Sequence, residues 1–428
     1  MSQTSDDNAA QELVRNAVTR ELPPGAPLPG DEEDLIEKGH IDSMGWVGIL
    51  STIEEATAIR NFGNPWPEGR PQSIGALVEM AKGTIRQAAS ERSGGGSVSA
   101  TRGDSTIQIS GWGCSLGSLS VEAASIEREC GLLPGTIRDG AGIEAVRRAS
   151  EGEDESTLAQ RAVATALETA EVDVEAVDCL VATSATFLQF PSLATELHSR
   201  LLLRESCGAL DVGGACAGLI YGFAVAKSLL LTNPHKVALV VASEIHSRRL
   251  ASPGVPGEFR GLFGDGACAF LLERSQEIQD DRFVRLGHTV WGCSGTFSSS
   301  LRLRLSDKAE TIVDFDGKQL ASAAITQLDR VLQLLEIRSG RSRDKVDYFA
   351  LHQPNPRMVE ILAQRCALPP AKIPTVSRTC GNLGSVTCGA SLCQALTESC
   401  QRAASPTHPL IFLAAVAPGL IWGGSYLH

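Results

Sequence analysis

The sequence predicts a small helical domain joined by a flexible tether to a larger α/β domain built as two similar halves. Three observations carry this reading. Residues 84–104 include Ser93-Gly94-Gly95-Gly96-Ser97, the composition of a flexible linker. Before the linker, apolar residues recur at helical spacing; after it, short apolar runs suited to buried strands alternate with helical patterns. The alternation occurs twice, over about 105–275 and 276–428, which predicts mostly parallel sheets covered by helices.

A chain of 428 residues is long enough for two or three domains and a large core. Its net charge of −12 argues against nucleic acid or an anionic membrane surface as a partner. Residues 1–95 hold 15 acidic and 8 basic residues, so more than half of the excess sits in the first quarter of the chain. Twelve cysteines without paired spacing, no secretory signal and no long apolar span point to thiols in a reducing cytoplasm. No cysteine–histidine spacing suggests a metal.

Taken in order, residues 1–9 are polar and expected to be unstructured. A helix from about Ala10 (Leu13, Val14, Ala17, Val18) runs to the Pro23-Pro24-Gly25 turn. An acidic loop leads into Leu35-Ile36-Glu37-Lys38-Gly39-His40-Ile41-Asp42-Ser43-Met44-Gly45, and Ser43 precedes an apolar helix with Val47, Leu50 and Ile53. Alone, Asp42 and Ser43 read as a helix N-cap. Ser73 and Ile74 open a last helix. Beyond the linker, 107–111 reads as a strand, 157–172 as a helix, 177–183 and 236–242 as buried strands, and 263–272 as a turn and strand. The second half reads as helix 320–335, strand 346–351, helices 357–364 and 391–403, and strands 410–415 and 420–427.

Four stretches carry chemistry. Asp211-Val212-Gly213-Gly214-Ala215-Cys216 leads into an apolar helix, and a cysteine at a helix start is expected to have a lowered pKa. Small neighbours leave room for a substrate to reach the sulfur. His352 sits just past a buried strand, where α/β sites lie. Asn382 stands in the glycine turn Gly381-Asn382-Leu383-Gly384. Val416-Ala417-Pro418-Gly419 is a glycine loop near the C-terminus.

Residues 10–83 resemble an acyl or peptidyl carrier protein. The resemblance implies a four-helix domain in which Ser43 carries a 4′-phosphopantetheine arm, attached by a phosphopantetheinyl transferase. Residues 105–428 resemble β-ketoacyl-acyl carrier protein synthase III, through Cys216, His352 and Asn382 with their flanks, Phe263-Gly264-Asp265-Gly266-Ala267 and Gln189-Phe190-Pro191-Ser192. That implies a thiolase fold of two duplicated βαβαβ-type halves, layered α/β/α/β/α, and a homodimer. It implies that Cys216 is acylated and that His352 and Asn382 stabilise the enolate of a carrier-bound malonyl-type unit. Arg357 would lie where an acidic carrier docks. An acyltransferase forming an ester or amide, and a non-catalytic carrier-binding partner, are the alternatives.

Two departures from the family pattern bear on substrate. The usual Trp-Ile-x-x-Arg-Thr-Gly-Ile run, which helps hold coenzyme A, is here Thr136-Ile137-Arg138-Asp139-Gly140-Ala141-Gly142-Ile143. Acyl groups are therefore expected to arrive on carriers. Pro418 aligns with a glycine whose N–H serves the oxyanion, and proline has no N–H. Either Gly419 supplies that N–H, alongside the N–H of Cys216 itself, or the site is slow or specialised.

Overall fold

The computed structural model describes residues 3–23, 25–41, 45–46, 48–50, 52–53, 72–82, 106–275, 284–295, 298–305, 311–315, 317–401 and 408–428. The chain separates into two compact units, Met1–Thr101 and Arg102–His428.

The first unit is helical. Helix α1 (Gln3–Glu21) begins well before the expected Ala10. Residues 3–9 contain no proline or glycine to stop it, so the polar stretch continues the helix rather than remaining unstructured. Ala10, Val14, Ala17 and Val18 form its buried stripe. Against it pack Leu35, Trp46 and Ile49, together with Ile74, Leu77 and Ala81 of a helix at 74–82. The Arg15 guanidinium donates to both Asp31 oxygens at 2.7 and 2.9 Å. Burial raises the pKa of Asp34, but N–H groups of Glu37, Gln72 and Ile36 outweigh it and hold the carboxyl below its usual value. Asp42, Ser43 and Met44 lie outside the described residues. So do 54–71 and the tether.

In the second unit nine strands pair in one sheet. They are β1 (Thr106–Leu116), β4 (Cys179–Thr183), β5 (Gly208–Asp211), β6 (Val237–Ile245), β7 (Asp265–Ser275), β8 (Val284–Cys293), β11 (Tyr348–Leu351), β12 (Ile411–Ala417) and β13 (Ile421–Leu427). Two two-stranded sheets, β2 (Leu119–Glu122) with β3 (Ala145–Arg148) and the hairpin β9 (Leu301–Leu305) with β10 (Thr311–Phe315), stand apart. The order is β11-β12-β13-β8-β1-β7-β6-β4-β5. From the middle outward, β1-β7-β6-β4 repeats as β8-β13-β12-β11, and between the halves β1 and β8 share only Gln108↔Arg285 and Ile109↔Val284. The duplication is therefore visible in strand order.

The expectation of mostly parallel sheets fails. β4 pairs parallel with β5 and β6, and β11 with β12, but β6–β7, β7–β1, β1–β8, β8–β13 and β13–β12 are antiparallel. Burial on both faces produces the same continuous apolar runs in either direction.

Helices complete five layers. They are α2 (Glu155–Ala170), α3 (Leu193–Arg200), α4 (Gly218–Thr232), α5 (Gly317–Ser339), α6 (Pro356–Arg365) and α7 (Val386–Gln401). Val181, Val240 and Phe270 face a central layer of α4 and α7, which also receives Ala350 and Leu413 from the second half. Leu180, Leu239 and Leu271 point the other way, under α2 and α3. Phe349, Leu351 and Phe412 do the same under α5 and α6. The stretch Ala215–Thr232 is long and apolar enough to cross a membrane, but here it lies between the two halves of the sheet. Burying Leu219, Ile220, Phe223 and Leu230 contributes about 1.5–3 kcal/mol each.

Candidate active site

Cys216 lies in a single turn, Ala215–Ala217, at the head of α4. Ala215 takes φ 46°, a left-handed conformation that costs a non-glycine residue roughly 1 kcal/mol or more. A Cβ on Gly218 would stand 2.2 Å from Thr183 Oγ1, so glycine lets the helix seat directly on the end of β4.

His352 is the first residue beyond β11, and its N–H extends the ladder to Ala414 O at 2.9 Å. Its neighbour Gln353 is fully buried and its Oε1 accepts from the N–H groups of Val376 and Ser377 at 3.0 and 3.2 Å. That fixes the segment leading to Asn382. Asn382 donates its backbone N–H to Leu262 O (2.8 Å) and accepts from Gly264 N–H (3.0 Å). The close approach needs Gly264, whose Cβ would meet Cys380 O at 1.9 Å. The side-chain Oδ1 accepts from Gly384 N–H (2.9 Å) and Thr387 Oγ1 (3.3 Å), which leaves the amide NH2 as the group to offer a ligand.

These three side chains line one cavity of about 380 Å³. Its electrostatics correct one expectation. Burial pushes the Cys216 thiol up to about 12, the charge of Glu244 and then Cys388 adding to it. The helix start does not overcome that desolvation. Burial also drives His352 down to about 4, with the Gly384 backbone opposing and His246 reinforcing the shift. His352 is thus a neutral imidazole at pH 7, and its Nδ1 is buried without a partner among the described residues.

Sequence reasoning missed Glu244, His246 and Arg249, which also line the cavity. Glu244 is fully buried and accepts from Ser385 Oγ (2.6 Å) and Ala185 N–H (2.9 Å), so it ties the turn after Asn382 to the end of β4. His246 Nδ1 stands 3.2 Å from Gly264 O, which can only accept, so Nδ1 carries a proton. The available signal was a pair of titratable residues ending an apolar run, Ser243-Glu244-Ile245-His246.

Other expected site residues stand elsewhere. Pro418 is on the cavity wall, and Gly419, with φ 78°, is not among the lining residues. Arg357 is exposed at the first turn of α6 and paired with Glu360 at 2.9 Å. Ser43 lies outside the described residues.

Family models for 3-oxoacyl-[acyl-carrier-protein] synthase III match residues 210–295, and for its C-terminal part residues 337–428. A beta-ketoacyl-[acyl-carrier-protein] synthase III of Ruegeria sp. (strain TM1040) is 31% identical over 310 residues, covering 72% of this chain and 94% of the relative. That of Geobacillus kaustophilus is 32% identical, covering 67% and 87%. Among solved structures, 3-oxoacyl-[acyl-carrier-protein] synthase III from Aquifex aeolicus superposes with a TM-score of 0.65 at 24% identity, covering 75% of this chain and 99% of that one. OleA from Xanthomonas campestris gives 0.66 at 22% identity, covering 76% and 98%. These two likenesses show the fold.

Proposed function

The chain belongs to the β-ketoacyl-acyl carrier protein synthase III family of condensing, acyl-transferring enzymes, and from that we propose a carrier-fused condensing enzyme of polyketide or fatty-acid-like biosynthesis. The observation that carries the reading is a single buried cavity holding a thiol, a neutral imidazole and a side-chain amide whose oxygen is already occupied.

Cys216 attacks an acyl thioester. The sulfur–carbon bond to the carrier breaks as the bond to Cys216 Sγ forms, and the Cys216 proton leaves with the carrier thiol. A malonyl-type thioester then places its carbonyl oxygen against the N–H of His352 and the NH2 of Asn382. Loss of carbon dioxide leaves an electron pair in an enolate whose oxygen these two donors stabilise. The carbanion attacks the acyl carbon as the bond to Cys216 Sγ breaks, and the departing thiolate takes a proton from solvent water.

Ser43, bearing 4′-phosphopantetheine, presents one of the two units, and Arg357 meets an acidic carrier. A tether of about 20 residues explores roughly 25 Å, which gives a local concentration in the millimolar range. The enzyme acts as a homodimer in this reading. A second reading, transfer of the acyl group to an alcohol or amine, is supported by a second histidine, His246, in the same cavity.

Carbon dioxide release and product mass, measured with an acyl thioester and a malonyl-carrier, test the proposal. His352→Ala and Asn382→Ala are expected to acylate Cys216 yet lose release by about 10²–10³-fold each. A joined product that retains the carboxyl carbon would move the assignment to acyl transfer.

A further inference from the structure

One cationic side chain other than histidine lines the cavity. Arg249, in the short helix His246–Leu250 after β6, is the only arginine or lysine among its lining residues, and Glu244 is the only carboxylate. Arg249 Nη1 donates to Ala185 O at 3.2 Å, and its Nε is buried with no partner among the described residues. Burial lowers the pKa of Arg249 and the Glu244 charge opposes that shift. Glu244 nevertheless directs its oxygens elsewhere, accepting from Ser385 Oγ and Ala185 N–H. Arg200 and Arg343, also partly buried, each meet two carboxylates. A guanidinium taken partly out of water with most of its five donors unengaged is matched by a planar, bidentate anion, which a carboxylate is.

We infer that Arg249 recognises a carboxylate at the far end of the acyl unit loaded on Cys216, which makes that substrate the monothioester of a dicarboxylic acid. Most other lining side chains are apolar and would reject a terminal charge, so Arg249 is what admits it. Two other anions enter the proposed reaction, and each fits less well. The carboxylate of a malonyl-type unit departs as neutral carbon dioxide; an ion pair to it holds the reactant, is lost in the transition state and slows the step. The phosphate of a pantetheine arm lies at the opposite end of the arm from the thioester, beyond two amide groups, whereas Arg249 shares its cavity with Cys216. A carboxylate that travels with the acyl group survives the reaction and stays paired throughout. The inference rests on the proposed acylation of Cys216.

N-acetylcysteamine thioesters of glutaric and adipic acid, beside the same thioesters capped as methyl esters, test it with no phosphate present. Acylation of the full-length protein is followed by intact-protein mass in wild type, Arg249→Met and Arg249→Lys, with Cys216→Ala to count adducts on other thiols. The expected result is a carboxylate-to-ester rate ratio that falls about tenfold or more in Arg249→Met and part of that way in Arg249→Lys. A ratio reads the recognition itself, since partial misfolding lowers both rates together. An unchanged ratio in Arg249→Met overturns the inference while leaving the condensing reading intact. Slower carbon dioxide release from a malonyl thioester with that ratio unchanged overturns it in favour of the malonyl carboxylate. A loss confined to thioesters carried on phosphopantetheine overturns it in favour of the phosphate. Absence of any acyl adduct on Cys216 overturns the parent reading itself.

Discussion

A thiol with a pKa of about 12 is almost wholly protonated at pH 7, so Cys216 must lose its proton as the thioester reaches it. Alkylation of the free enzyme by iodoacetamide should therefore rise about tenfold per pH unit from 7 to beyond 10; a plateau above pH 7 would reveal a thiolate already formed. His352, neutral down to about pH 4, imposes no loss of activity between pH 5 and 8. Pro418, on the same cavity wall, has no N–H to offer the oxyanion that the proposed acylation forms on the thioester oxygen. Restoring a donor with Pro418→Gly is expected to speed acylation by tenfold or more, since one oxyanion donor is worth about 2.7–4 kcal/mol. An unchanged rate would mean that another N–H already fills that role. Cys216, His352 and Asn382 were legible because each sits in a glycine turn or at a strand end. Glu244 was not, because a glutamate after a strand reads as surface, and only the layers on both sides bury it.

Between elements, Glu153 joins three. Its carboxylate accepts from the N–H of Ser118 (3.0 Å), beyond β1, from the N–H of Ser150 (2.8 Å), beyond β3, and from Arg161 on α2. Burial raises its pKa, but these donors prevail and the folded value lies far below the usual 4.5. The sign follows: the stabilisation is complete above the unfolded pKa and drains away as pH falls below about 4.5 toward the folded value. Glu153→Gln should cost about 2 kcal/mol at pH 7 and flatten the acid limb of a denaturation series. A curve parallel to wild type from pH 7 to 3 would contradict this. Strand direction was the element-scale miss. The connection from β6 to β7 spans 246–264 and holds two short helices, long enough for either direction, so no local signal distinguished them. The β9–β10 hairpin was legible in principle, since Arg302 and Arg304 alternate with Leu301 and Leu303 in the period of a half-buried strand, but the reading followed only continuous apolar runs.

For the molecule as a whole, the Ruegeria relative is covered over 94% of its length by 72% of this chain, so the remainder has no counterpart there. The sequence reading placed a carrier in that remainder, on a motif whose serine no packing pattern could reveal. The same reading found no aromatic platform for coenzyme A at Thr136–Ile143. Losing a stack worth about 1–3 kcal/mol should make acyl-coenzyme A load Cys216 about 5–150-fold more slowly than the same acyl group on a carrier. Equal rates would contradict carrier delivery. The most direct measurement is intact-protein mass after treatment with a phosphopantetheinyl transferase and an acyl thioester, wild type beside Ser43→Ala and Cys216→Ala. A pantetheine adduct that only Ser43→Ala abolishes, with an acyl adduct on the thiol that only Cys216→Ala abolishes, is the predicted result. A wild-type chain that takes up neither group would contradict both halves of the proposal.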